Sequence, residues 1–201
     1  KLAVTKQLDS LGFDYVEGGY PASNEKDSQY FQRVAQLGLK HVRVCAFGMT
    51  RRRGCKAAED EGLRALLDSG AKTITIVGKG SRFQATEVLR TTADENLAMI
   101  AESVDMLVSV GREVVFDAEH LFDGWKQDSD YAMRTIRSAV NAGAKTVVLC
   151  DTNGGSMPNE IAEITRAVVD AAGVPVGVHC HNDCDLAVAN SLAAVDAGAV
   201  H

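Results

Sequence analysis

Short apolar runs alternate along the chain with longer segments in which apolar residues recur every three or four positions. In residues 67–77, the end of such a segment is followed by a glycine and then by a β-branched run, and residues 140–150 show the same pattern. The runs are continuously apolar, which is typical of strands covered on both faces of a parallel sheet. The pattern therefore predicts alternating strands and amphipathic helices, as in α/β proteins.

Glycines mark the ends of the predicted helices, because glycine tolerates the left-handed conformation that commonly closes the last turn. These marker glycines recur every 25 to 41 residues, the length of one strand plus one helix with short loops. They are Gly12, Gly38, Gly70, Gly111, Gly143, Gly173 and Gly198. Together with the apolar runs, they predict six complete strands, near residues 13–17, 41–47, 73–77, 113–118, 146–151 and 174–181.

These units indicate most of a (β/α)8 TIM barrel. The chain opens inside a helix that should follow a strand, and it stops where another strand should begin. We therefore interpret residues 1–201 as a single partial catalytic barrel domain, truncated at both ends, without the first and eighth strands or any C-terminal accessory and regulatory domains. The alternative is an open doubly wound sheet, although no Gly-rich dinucleotide loop follows any strand and residues 78–81 are interpreted as a loop.

Polar side chains before the amphipathic segments predict where helices begin. Ser23 can cap the second helix, and Asp128 or Ser129 can cap a later one. Thr92 precedes another helix, with Glu95 three positions later, which is the pattern of a capping box.

Composition limits the partners. The 201 residues are 46% hydrophobic with a net charge of -6, and no basic stripe favours nucleic acid. No apolar run approaches the roughly 20 residues of a membrane span, and no signal peptide is visible. The number of cysteines, five, is odd, and three of them fall in predicted buried strands. Because such cysteines fit a reducing compartment, we expect a cytoplasmic protein with neither a membrane nor a nucleic-acid partner.

Two histidines close the last predicted strand. His179 and His181 are two positions apart, so their side chains point the same way. Two neighbouring imidazoles can hold one divalent metal ion, although a histidine after an apolar strand is often only structural. Both interpretations stay open on the local pattern alone. Cys180 should face the other way and is not counted as a ligand.

Acidic side chains follow other strands and should gather at the same mouth, since active sites of barrels lie at the carboxyl ends of their strands. Glu119 is the strongest candidate, because an acid directly after an apolar strand is costly to bury without a purpose. The others have structural alternatives: Glu17 can cap a loop, Asp151 can be a turn residue, and Asp117 and Asp123 can shape turns.

Two further segments have a possible binding role. Residues 45–48 end the predicted strand at 41–47 and are apolar, so they can line a pocket for a small organic substrate. The run Arg51–Arg53 can bind an anion, although exposed arginine runs are more often solvated surface.

Four motifs, in order, resemble the alpha-isopropylmalate/homocitrate synthase family. They are VEGGYP at 16–21, FDAEH at 116–120, DTNGG at 151–155 and HxHND at 179–183. The resemblance covers essentially the whole chain, and the longer phrases FDAEHLFDGW and EGGYPASNEKD look most like the citramalate synthase branch. HxH alone is weakly specific, whereas the four motifs in this order are strongly specific.

The resemblance implies a metal-dependent Claisen condensation. Acetyl-CoA would lose a methyl proton, the enolate would attack the ketone of a 2-oxo acid, most simply pyruvate, and the thioester would then be hydrolysed. By the same resemblance His179 and His181 are metal ligands, and Thr152 binds the carboxylate of the oxo acid. Glu119 is a polar catalytic residue beside the reacting centre, and Glu17 is a lesser substrate-binding residue. The metal would be Mg, Mn, Zn or Co, the product citramalate for isoleucine biosynthesis, and the full-length protein a homodimer.

The chain departs from the family where its first and eighth strands would stand. No Arg-Asp pair, which completes the family's metal site from the first strand, is present, so the fragment can be inactive. Other interpretations are a metal-dependent aldolase or lyase of the HMG-CoA lyase type, an inactive barrel fragment, and, less favoured, a metal-dependent hydrolase with its HxH pair on the first strand.

Overall fold

The computed structural model describes residues 1–201 and contains one parallel sheet of six strands. The strands are β1 (Tyr15–Gly19), β2 (Arg43–Met49), β3 (Thr73–Lys79), β4 (Glu113–Glu119), β5 (Thr146–Asp151) and β6 (Val176–Cys180). Each strand pairs with the next one in the chain, in the order β1-β2-β3-β4-β5-β6. A doubly wound sheet reverses its strand order at a switch point, so that alternative is wrong. The six predicted strands are confirmed.

The sheet curls into a partial barrel. In a flat sheet, β1 and β4 would lie about 14 Å apart, at roughly 4.8 Å per strand spacing. Instead, the Tyr15 hydroxyl donates a hydrogen bond to Glu113 Oε1 across the interior at 2.6 Å. The Tyr15 ring also meets the ring of His201 with centroids 5.1 Å apart. Residues 200–201 pair with β6 through backbone hydrogen bonds, which fits the predicted onset of another strand there.

Eight helices cover the outer face of the sheet. They are α1 (Leu2–Ser10), α2 (Glu25–Val34), α3 (Glu61–Asp68), α4 (Ala93–Ser109), α5 (Leu121–Gln127), α6 (Ser129–Asn141), α7 (Pro158–Ala172) and α8 (Ala187–Asp196). Short turns of 3-10 and π helix span Ala57–Glu59 and Gln84–Val88. None of the helices combines the length and the apolar character that crossing a bilayer requires.

The core lies between the helices and the outer face of the sheet. It comprises 31 buried residues, among them Val114, Phe116 and Ala118 of β4. Val115, between them, belongs to a separate cluster with Val148 and Cys150. Since side chains alternate along a strand, that second cluster marks the inner face. The alternation fixes which polar residues of the strand ends face the barrel interior.

Local signals at the helix ends are largely confirmed. All seven marker glycines have a positive φ, between 61° and 105°. Thr92 caps α4 by accepting a hydrogen bond from the Glu95 amide at 3.1 Å. The helix after Ser23 is instead capped by Asn24, whose side chain accepts from the Asp27 amide.

Candidate active site

Alternation along β4 points both of its terminal carboxylates into the barrel. Asp117 and Glu119 share the inner face with Val115, two and four positions after it. Successive residues on one face lie about 7 Å apart along a strand. Glu119 therefore lies at the mouth, and Asp117 lies one layer deeper.

The two histidines lie side by side at the end of β6, as predicted. Their rings are 5.0 Å apart between centroids and inclined by 30°. Partial desolvation, together with the positive charge that His181 carries when protonated, lowers the pKa of His179, while Glu17 acts in the opposite direction. A lowered pKa favours the neutral imidazole, the form that binds a metal ion.

A deeper layer was missed in part by sequence reasoning. One ligand atom each of Asp117, Cys150 and His179 lies within 4.8 Å of the other two. Burial, assisted by the charge of Glu17, raises the pKa of Asp117 to about 7. Burial likewise raises the pKa of the Cys150 thiol well above its usual value. Alternation of side chains along β5 could have predicted that Cys150 faces the interior, where it pairs with His179 in the register of β5 and β6.

Cys180 faces the other way, as expected from its position between the histidines. Burial raises the pKa of its thiol, and the neighbouring Ser191 hydroxyl of α8 opposes this, so the side chain lies on the helix side of the sheet. Cys180 is thus removed from the ligand atoms of the barrel interior.

Glu119 is held by a residue that the sequence interpretation placed in a loop. Gly78 and Lys79 are the last residues of β3, not a loop, and Lys79 pairs with Glu119 in the register of β3 and β4. The Lys79 ammonium donates a hydrogen bond to Glu119 Oε2. The prediction of a loop is therefore wrong for residues 78–79 and holds for residues 80–81, because the glycines on both sides of Lys79 hid the end of the strand.

Thr152 follows β5 at the mouth and contacts the loop after β4. Its Oγ1 accepts a hydrogen bond from the His120 amide at 2.9 Å. His120 has a left-handed backbone with φ of 58°, and its ring approaches Asp123 at 3.6 Å. The Thr152 hydroxyl uses its oxygen in this contact and keeps its proton free to donate.

Glu17 lies in β1 and is exposed on the open side of the barrel. Its charge acts on Asp117 and on His179, and also raises the pKa of the Cys45 thiol after the larger effect of burial. The charge of Glu17 therefore acts on groups in the barrel interior. It makes no direct ion pair there.

Other candidates prove structural. Asp151 is buried and accepts hydrogen bonds from the amide and hydroxyl of Ser156, which fixes the loop after β5. Arg51 is buried in ion pairs with Glu95 and Glu102, so it is neither solvated nor free to bind an anion.

A cavity of about 760 Å³ opens at the carboxyl ends of β2 and β3. Its lining includes Arg52, Arg53, Val77, Lys79 and Tyr20. Residues 45–48, which were expected to line a pocket, are not among its walls. Lys79 lies between this cavity and Glu119.

Known proteins with similar sequences match this chain from end to end. An (R)-citramalate synthase of Streptomyces coelicolor is 48% identical over 202 residues, and one of Aquifex aeolicus is 45% identical over 200 residues. The alignments cover 100% and 99% of this chain. A 2-isopropylmalate synthase of Solidesulfovibrio magneticus is 35% identical over 206 residues, or 99% of this chain. The chain spans 38% of the length of each of these relatives.

Solved structures share the fold. The HMG-CoA lyase of Bacillus subtilis superposes with a TM-score of 0.78 at 15% identity, covering 98% of this chain and 66% of the lyase chain. An HMG-CoA lyase of Acinetobacter baumannii, solved with coenzyme A and 3-methylmalate, gives 0.78 at 20% identity, covering 98% and 64%. At these identities the likeness establishes the fold alone. The profile of the HMGL-like family matches residues 1–201, and the chain therefore belongs to the HMGL-like family.

Proposed function

We propose that the full-length protein is an acyltransferase that condenses acetyl-CoA with a 2-oxo acid, pyruvate, to form citramalate for isoleucine biosynthesis. The observation that carries this proposal is the mouth of the barrel, where the His179–His181 pair and Glu119 lie on the inner face. Relatives named (R)-citramalate synthase, at 42% to 48% identity across this chain, support the choice of substrate. We also propose a cytoplasmic homodimer.

His179 and His181 would hold a divalent metal ion of the Mg, Mn, Zn or Co group. The donor set fits, because the rings are adjacent and the pKa of His179 is lowered toward the neutral form. When bound, the metal supplies Lewis-acid polarisation of the ketone of the oxo acid. Two imidazoles leave coordination positions for the substrate and for further ligands.

Thr152 and Glu119 would act directly on the substrates. The Thr152 hydroxyl proton is free to donate to the carboxylate of the oxo acid, which fixes its orientation. Glu119 presents a carboxylate at the mouth, where it can take part in removing the methyl proton of acetyl-CoA or can orient a catalytic water. Glu17 would face the bound substrate from the opposite side of the barrel as a lesser binding residue.

Thiol release tests the reaction. The full-length protein, supplied with Mg²⁺ or Mn²⁺, should release coenzyme A from acetyl-CoA when pyruvate is added, faster than with 2-oxoisovalerate. Glu119→Gln should reduce kcat by at least about 100-fold, the scale of a lost proton-transfer group. No release with any 2-oxo acid would refute the synthase proposal. Cleavage of HMG-CoA in its place would support a lyase, the function of the proteins with similar folds.

Metal titration tests the ligands independently of activity. His179→Ala should weaken Mn²⁺ affinity by at least about tenfold in calorimetry, since one direct ligand is lost. His41→Ala is the matched control, because His41 is an exposed histidine before β2, at the opposite end of the strands. Equal affinities of the two variants would remove His179 from the ligand set.

A further inference from the structure

Lys79 and Glu119 form an isolated pair at the mouth of the barrel. The side chains of Lys79 and Glu119 are 11% and 26% exposed. The Lys79 ammonium donates to Glu119 Oε2, and no second side chain shares either end of this contact. The orientation of the Glu119 carboxylate therefore depends on one neighbour.

The backbone beneath this pair is fixed on several sides. The Lys79 carbonyl accepts a hydrogen bond from Asn96 Nδ2 at 2.9 Å, and Asn96 is fully buried. The Gly80 amide donates to the Glu119 carbonyl at 2.8 Å, which continues the ladder of β3 and β4 beyond the strands. Gly124 of α5 lies against Gly80 so closely that a β-carbon there would come within 2.6 Å of the Gly80 carbonyl. Both side chains thus extend from a rigid base.

Such a pair is a poor choice for stability alone. Removing an ammonium and a carboxylate from water is unfavourable, and apolar residues of similar volume often stabilise a fold as well or better. Lysine is rarely buried unless it is paired. The position of the pair at the carboxyl ends of β3 and β4, where barrel enzymes place their chemistry, points to function.

Lys79 also connects two parts of the mouth. It lines the cavity at the ends of β2 and β3 and, on its other side, holds the carboxylate that faces the barrel interior. A substrate that extends from this cavity toward the interior would pass Lys79 before it met Glu119.

We propose that Lys79 is the positioning residue for Glu119. Its ammonium fixes one orientation of the carboxylate through Oε2, so that Oε1 stays free to face the methyl proton of the acyl donor. This inference rests on the proposed function, because it assumes that Glu119 acts in the condensation. A small misplacement of a catalytic group is sufficient to lower kcat by about 100-fold.

The test uses the full-length protein and thiol release with pyruvate. Lys79→Met and Lys79→Gln should lower kcat by about 100-fold and change KM for pyruvate by less than about threefold. Lys79→Arg, which keeps the charge and the donors, should recover at least about tenfold of that loss. In the Glu119→Gln background, Lys79→Met should lower kcat much less than it does in the wild-type protein, because the two residues act as one unit.

Lys56→Met is the matched control. Lys56 pairs with Glu59 at 3.8 Å, and their side chains are 82% and 61% exposed, so this variant also removes one lysine from an ion pair. Its kcat should stay within about twofold of wild type, as expected for an exposed ion pair.

The outcomes are separable. Absence of thiol release in wild type refutes the proposed function, whereas wild-type kcat in a folded Lys79→Gln variant overturns the positioning role alone. Full additivity with Glu119→Gln would overturn it as well. If circular dichroism shows that neither neutral variant folds and Lys79→Arg restores folding without kcat, the pair is structural and the proposal is wrong.

Discussion

Asp60 provides a stringent test of how burial sets the strength of a helix cap. It precedes α3 and is 3% exposed. Its carboxylate accepts hydrogen bonds from the Leu63 amide at 3.1 Å, the Arg52 amide at 3.0 Å and Arg52 Nε at 3.3 Å. The perturbation is Asp60→Ala, which removes all three contacts.

The magnitude follows from the burial of these partners. Losing an N-cap costs about 0.5–2 kcal/mol, and leaving buried donors without an acceptor adds about 1–3 kcal/mol. Because Arg52 Nε is itself largely exposed and can turn to water, we take the lower half of the second range. We therefore expect Asp60→Ala to lower the free energy of unfolding by about 1.5–4 kcal/mol.

Asp128→Ala is the matched control. Asp128 caps α6 with the same pattern, accepting from the Tyr131 amide at 3.0 Å and from Arg82 Nε at 2.7 Å. Its side chain is 30% exposed, so water replaces the lost contacts. We expect a loss of about 1 kcal/mol, measured for both variants by urea unfolding followed through Trp125 fluorescence.

The dependence on pH supplies a second readout. Hydrogen bonds lower the pKa of Asp60 against the opposing effect of its burial, which is the largest single influence on it. The stabilisation by Asp60 is therefore complete above the pKa of the unfolded state and is lost as pH falls through the folded pKa. The gap between wild type and Asp60→Ala should narrow below about pH 4. Equal losses for Asp60→Ala and Asp128→Ala at neutral pH would refute the argument from burial.

Two further substitutions test the loops and the interior. Gly154→Ala should lower the free energy of unfolding by at least about 1–2 kcal/mol in the same urea assay, since Gly154 has φ of 61° and a β-carbon would lie 2.9 Å from the Asp183 amide nitrogen. Gly155→Ala is the control, because a β-carbon there meets nothing within 4 Å, and it should lower the stability by less than half as much. Asp117→Asn should gain stability relative to wild type as pH rises from 5 to 8, because ionisation of a carboxyl with its pKa raised from 3.8 to about 7 opposes folding. Over this pH range the stability difference between Asp117→Asn and wild type should grow by at most ~3 kcal/mol, and a difference that is the same at both pH values would contradict the reasoning.

The strands were predictable because strands buried on both faces are continuously apolar in the sequence. The runs that form β3 and β5 are continuously apolar or β-branched, and a glycine with positive φ precedes each of them. The boundaries were less certain. Observed strands β1, β2 and β6 begin two residues later than predicted, since local apolar composition does not show where ladder hydrogen bonding starts.

The candidate site was predictable where alternation on one strand was sufficient. His179 and His181 share a face by their spacing alone, and their rings lie together in the structure. Lys79 and Arg51 were not predictable, because their roles depend on partners 40 and 44 residues away. Sequence spacing does not reveal which residues of different strands lie opposite each other, and that register decides whether an arginine or lysine is solvated or buried in an ion pair.

Polar residues at the two ends of the barrel interior differ in how their hydrogen bonds are satisfied. At the amino ends of the strands, Glu113 accepts from the Tyr15 hydroxyl at 2.6 Å and from Arg43 at 3.0 Å. Burial, reinforced by this bond, raises the pKa of Tyr15 to about 12.

At the carboxyl ends, Asp117 is buried, and burial and the charge of Glu17 raise its pKa with no hydrogen bond to oppose them. Folding alone favours polar groups that satisfy one another, as Tyr15 and Glu113 do, whereas a buried carboxyl without a donor costs stability. A carboxyl oxygen of Asp117 lies within 4.8 Å of a ring nitrogen of His179, where a bound substrate or ion would supply the missing partner. The same alternation of side chains therefore places hydrogen-bonded polar groups at the amino end of the interior and a buried carboxyl without a donor near its carboxyl end.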